Sequence, residues 1–198
     1  MTDSVQDNGP RTLKLPGGDV LLRPFAPGDE AAVLGFAAAL PEHDLLFLTR
    51  DITQAKVVSA WLRDVEDGTI VSLLALQGPK VVGTSAVVRD ALSWSPHVGD
   101  IRVLVSPELR GQGLGHILAQ EALATATAMG LEKLTVRMTI DQQAAIAVFE
   151  SLGFRGEALL RDHVKDRGGK RHDIAILSHD VAEVGARRSA FGVGPPID

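Results

Sequence analysis

The feature that most restricts this chain is a run of alternating glycines, Gly111, Gly113 and Gly115, inside "LVSPELRGQGLGH" at residues 104–116. It sits between one apolar stretch that alternates like a strand and another that repeats like a helix. Glycine adopts positive φ without penalty, so the run reads as a tight turn from strand to helix. A helix starting there leaves unpaired backbone N–H groups at the positive end of its dipole, with no side chain to hold a ligand away. Such a place suits an anion, for example a pyrophosphate. The two commonest phosphate-binding patterns do not fit. A Gly-x-Gly-x-x-Gly fingerprint needs glycine where His116 or Leu118 stands, and the Gly-Lys-Ser/Thr of a P-loop is absent.

Around this turn the hydrophobic period switches repeatedly. Residues 19–25 alternate as a strand, and 26–40 read as a helix with acidic residues in its first turn. Residues 53–65 read as a second helix, with Val57, Val58, Trp61, Leu62 and Val65 on one face. Residues 69–77 and 80–90 predict a hairpin about Gly78-Pro79, and 100–106 predict the strand that enters the glycine turn. The following helix reaches Met129 and stops at Gly130. Residues 132–140 predict a strand, 141–152 a helix that Asp141 is available to cap, and a last hairpin turns at 167–169. The order β-α-α-β-β-β-α-β-α-β-β describes a mixed sheet with helices on its faces. Polar residues 1–12 and the Gly/Pro-rich residues 185–198 read as flexible tails, leaving 13–184 as one domain.

Composition narrows the chemistry. With no cysteine, disulfides, thiolate nucleophiles and cysteine-based zinc sites are all removed. The net charge of −5 argues against broad nucleic-acid binding. No apolar run approaches the roughly 20 residues of a membrane span. The opening Met1-Thr2-Asp3-Ser4 does not look like a secretory signal, so the expectation is a cytoplasmic protein bound to neither nucleic acid nor membrane. His163, His172 and Asp173 lack a standard ligand spacing and read as paired hairpin residues, which leaves no metal site. Trp61 reads as core at its helical spacing, and Trp94 as exposed on a loop.

What the glycine run does match is Arg-x-x-Gly-x-Gly, at Arg110, Gly113 and Gly115, after a strand ending in "LVSPEL". Here the chain resembles the GNAT superfamily of N-acetyltransferases, whose central motif is Gln/Arg-x-x-Gly-x-Gly/Ala. Downstream, "DQQAAIAVFESLGF" at 141–154 is similar to the family's second motif, an Asn-led helix ending in "YEKLGF". Upstream, "DVLLRPFAPGDE" looks like its opening strand and helix, and the likeness covers about residues 19–182. It implies the GNAT fold, of the α/β (α+β) class: a mixed, mostly antiparallel central sheet of six to seven strands with helices on both faces.

The resemblance implies acetyl-CoA as co-substrate and a primary amine, of a small molecule or a protein, as acceptor. The cofactor residues are then Leu104 and Val105, pairing with the pantetheine arm like a strand, and the backbone of Arg110, Gly111, Gln112, Gly113, Leu114, Gly115 and His116 around the pyrophosphate. Asp141 stands where the family usually has Asn, and Phe149 where it commonly has an acid tyrosine. The chain contains no tyrosine at all, so water, Ser151 or His116 would have to protonate the leaving thiolate. A thiol of pKa about 8.5 costs only about 2 kcal/mol to release unprotonated at neutral pH, so catalysis could proceed without one. Asp100 falls where the family places the carboxylate that deprotonates the amine, although pairing with Arg102 would equally explain it. The resemblance places the walls of the acceptor site in residues 40–51 and 161–173, where Glu42, His43 and Asp44 are the candidate acceptor-binding residues and favour a cationic amine. Edge pairing common to such folds leads to the expectation of a homodimer. The alternative function is a catalytically weak acyl-CoA sensor or interaction module, and transfer of a longer acyl chain also stays open.

Overall fold

The computed structural model describes residues 9–181. The strands are β1 (Arg11–Leu15), β2 (Gly18–Pro24), β3 (Ile70–Gln77), β4 (Lys80–Arg89), β5 (Val98–Val105), β6 (Lys133–Thr139), β7 (Arg155–Lys165) and β8 (Arg171–Asp180). The helices are α1 (Glu30–Ala39), α2 (Ala55–Glu66), α3 (Leu114–Ala128) and α4 (Gln143–Ser151), with a 3-10 turn at Glu42–Leu45. From β2 onward this is the order read from the sequence. The addition is β1, which makes the sheet eight-stranded rather than six- or seven-stranded. Its five residues pair with β2 across Gly18, whose φ of +110° only glycine adopts readily. Arg11 and Thr12, expected in the tail, belong to this strand. The remaining predicted tail residues, apart from Gly9 and Pro10, lie outside the described residues, as do 182–184.

The strand order is β1-β2-β3-β4-β5-β6-β8-β7. All neighbours are antiparallel except β5 and β6. That parallel pairing covers only Val98↔Lys133 to Ile101↔Val136. Both strands then continue, to Val105 and Thr139, without pairing to each other. A wedge therefore opens in the middle of the sheet.

Alternation along β5 sends its side chains into different environments. Leu104 joins a core with Phe25, Val33, Phe36, Val58 and Leu62 under α1 and α2. Ile101 joins another with Leu134, Met138, Phe149 and Phe154 beside α3 and α4. Burying each large aliphatic side chain contributes about 2–3 kcal/mol. Gly83 allows α3 to sit close to the sheet, because a Cβ there would lie 3.0 Å from Leu118 Cδ1 and 3.1 Å from the Leu104 carbonyl. The entry to α1 is fixed by Asp29, which accepts from both Arg23 terminal nitrogens at 2.6 and 2.7 Å and from the Ala26 N–H at 3.0 Å. The Arg23 guanidinium holds the Asp29 carboxyl below the usual carboxylate range.

Candidate active site

On the α3 side of β5 lies a cleft of about 540 Å³, lined among others by Val103, Val105, Gly113, His116, Val148 and Phe149. Gly111 and Gly113 have φ of +71° and +89°, and open space lies where their Cβ atoms would be. No side chain caps α3, so the first N–H groups of this helix lack partners within it and can face an anion in the cleft. Two of the expected cofactor residues, Gln112 and Leu114, send no side chain into the cleft. Leu114 is fully buried, and the Gln112 amide turns back to donate to the Glu108 carbonyl at 2.9 Å. Arg110 is folded over as well. Its guanidinium donates to the Val105 carbonyl at 3.3 and 3.4 Å and to Asp44 at 2.5 Å.

Asp141 does not cap α4, as the sequence led us to expect. Gln142 occupies that place, and the Asp141 carboxylate instead meets His43 Nε2 at 3.0 Å. The Thr139 hydroxyl, and after it His43, holds the Asp141 carboxyl below its ordinary range. Phe149 is buried at the cleft wall, edge-on to Phe154 with 5.2 Å between ring centres. Of the two side chains considered in place of the tyrosine, His116 lines the cleft, whereas the Ser151 hydroxyl donates to the Val148 carbonyl at 2.6 Å.

Across β5 a second, narrow pocket of about 50 Å³ is lined by Arg50, Ile52, Trp61, Asp64, Thr84 and Arg102, among others. Leu104 lines both cavities, so only this strand separates them. Asp100 lies on the same face of β5 as Arg102, whose Nε donates to its Oδ2 at 2.9 Å. Arg137 Nε stands 3.9 Å from Asp100 Oδ1, and that buried oxygen has no hydrogen bond. Asp100 itself lines neither cavity and reaches the narrow pocket through Arg102.

Glu42, His43 and Asp44 are engaged elsewhere. Glu42 accepts from the Arg167 N–H at 2.6 Å, His43 contacts Asp141 and Thr139 at 3.0 Å each, and Asp44 pairs with Arg110. Together they strap the 3-10 turn to the last hairpin, the start of α4 and the glycine turn, and none lines the narrow pocket. Arg50 falls within the segment 40–51 expected to wall the acceptor, although it was not singled out there, and Asp64 was overlooked. Asp64 left a trace, since it follows Trp61 by three residues and therefore shares its helix face. On the last hairpin His172 pairs with Asp166 at 2.9 Å, and Asp173 accepts from the Asp162 N–H at 2.8 Å. Among the described residues no three His, Asp or Glu side chains are grouped to hold a metal, and no helix is long and apolar enough to cross a membrane. Trp94 is fully exposed, as its loop position predicts.

Comparison with known proteins agrees with this architecture. The mycothiol acetyltransferase of Paenarthrobacter aurescens is 28% identical over 157 residues, which is 77% of this chain and 46% of that protein. That of Streptomyces scabiei is 32% identical over 160 residues, 78% of this chain and 48% of that protein. The chain thus spans about half the length of these curated relatives. A solved GNAT-family acetyltransferase from Streptococcus pneumoniae superposes with a TM-score of 0.70 at 21% identity, covering 82% of this chain and 99% of that one. The model of the acetyltransferase (GNAT) family matches residues 29–154, a span holding the glycine turn, β5, β6 and α4. With that match over more than half its length, the chain belongs to the GNAT acetyltransferase family.

Proposed function

We propose that the chain transfers the acetyl group of acetyl-CoA directly to a primary amine. The observation that carries this reading is the wedge between β5 and β6, which opens beside the uncapped start of α3. Strand β5 beyond Ile101 offers main chain to a pantetheine arm as a neighbouring strand would, at Leu104 and Val105. The pyrophosphate lies against the backbone of residues 110–116, and a β5 N–H polarises the thioester oxygen. The acceptor comes from the narrow pocket across β5. Its nitrogen attacks the thioester carbonyl carbon, the C–S bond breaks, and the sulfur leaves as thiolate. The amine's surplus proton passes by way of water to Asp100, whose Oδ1 has no hydrogen bond, and CoA takes a proton from water or from His116.

Thiol release from acetyl-CoA, measured against a panel of amines on wild type and Asp100→Asn, tests this. Amine-dependent release that falls steeply in the variant supports transfer with Asp100 as base. Tight acetyl-CoA binding without turnover supports the second reading, an acyl-CoA sensor, which rests on Phe149 standing in place of the family's tyrosine. A homodimer through the outer edge of β7, which pairs on one side only, belongs to the proposal and is tested by sedimentation.

A further inference from the structure

The narrow pocket carries more information than its position. Two guanidiniums, Arg50 and Arg102, line it against a single carboxylate, Asp64, and its other walls include Leu48, Ile52, Trp61 and Ile70. Among the described residues the side chains of Arg50 and Asp64 have no hydrogen-bond or ion-pair partner. Arg102 uses only its Nε on Asp100. A guanidinium stays charged at every working pH, and its planar fork matches the two oxygens of a carboxylate or phosphate. Beside apolar walls it gains most when an anion meets it. A polyamine would instead bring a second cation toward these two, and a bare lysine side chain would bring no anion to meet them.

We infer that the acceptor amine carries an oxyanion, a carboxylate or a phosphate, which Arg50 and Arg102 hold while the amine faces β5. This rests on the acetyl-transfer reading above and replaces the purely cationic acceptor suggested by Glu42, His43 and Asp44, which are bonded to other parts of the protein. The acceptor class is thus a small amino acid or an amino-phosphate. Arg50 is exposed at the mouth, so it is a specificity residue that can be changed without disturbing a core.

The test uses matched acceptors that differ only in the anion: L-amino acids against their carboxamides, and phosphoethanolamine against ethanolamine, with spermidine as the cationic reference. Wild type and Arg50→Gln are compared by thiol release from acetyl-CoA. The expected result is that the anionic member of at least one pair is preferred by about tenfold or more in kcat/KM. In Arg50→Gln that preference collapses through a rise in acceptor KM, with kcat and the KM for acetyl-CoA unchanged. The pair that responds tells carboxylate from phosphate. Spermidine or the uncharged members reacting as well as the anions, with no change in Arg50→Gln, overturns the inference while leaving acetyl transfer standing. Absence of turnover with every amine fails the transfer reading instead. The oxyanion site is then decided by thermal denaturation with CoA plus the N-acetyl amino acids. Stabilisation of wild type but not of Arg50→Gln upholds it, and equal behaviour of the two proteins refutes it.

Discussion

The two sides of β5 are built from different materials. On the α3 side the cleft has side-chain walls such as Val148 and Phe149, but its distinguishing features are main chain: a glycine turn with positive φ, an uncapped helix start and an unpaired strand edge. On the α2 side the narrow pocket is formed by side chains, above all Arg50, Trp61, Asp64 and Arg102. Main chain recognises a ligand by shape and polarity that any sequence with the right glycines reproduces. Side chains at a pocket wall can change one by one without altering the fold. On the proposed function the first side sets what the protein uses in every turnover, and the second sets what it acts upon.

The sharpest way to break this division is Gly113→Val. At a φ of +89° a β-branched residue is strained, and its side chain would enter the cleft. Acetyl-CoA affinity should fall by about a hundredfold or more by calorimetry, whatever the acceptor. Asp100→Asn should act on the other side only, lowering kcat by about 10–100-fold while acetyl-CoA affinity stays within about twofold. Asp44→Asn tests the strap between the two regions. Releasing Arg110 and removing a carboxylate from the cleft should raise acetyl-CoA affinity by about threefold at low salt, and the gain should shrink as salt is added.

The smallest functional effect is expected from Asp29→Asn, remote from both cavities. Its carboxyl is lowered by Arg23, so the pair stabilises the fold above the ordinary carboxylate pKa and that contribution is lost as pH falls through the lowered value. Urea unfolding should show a loss of about 1 kcal/mol at pH 7 that narrows on acidification, with every kinetic constant unchanged.

The same contrast explains what could be read from the sequence. The glycine turn, the strand before it and the helix after it are local, and their geometry follows from residue types within a few positions of one another. The narrow pocket is assembled from the segment after the 3-10 turn, α2, β3, β4 and β5, and no spacing announces that Arg50 and Arg102 will converge. The contacts of His43 were hidden for the same reason, because its partners Asp141 and Thr139 lie 98 and 96 positions away. Strand β1 escaped notice because a five-residue run of alternating Thr, Leu and Lys gains its stability only once β2 is in place.

The wedge in the sheet has one more consequence. Two half-sheets meet at a seam of only four residue pairs between β5 and β6. A thioester arm lying along β5 would act as a strand supplied from solution, so ligand and polypeptide would share the task of closing the sheet. By mass action, acetyl-CoA at a hundred times its dissociation constant adds about 2.7 kcal/mol to folding stability. Amide hydrogen exchange at residues 102–105 should slow in proportion, so the thermal lifetime of this protein becomes a gauge of the acetyl-CoA around it.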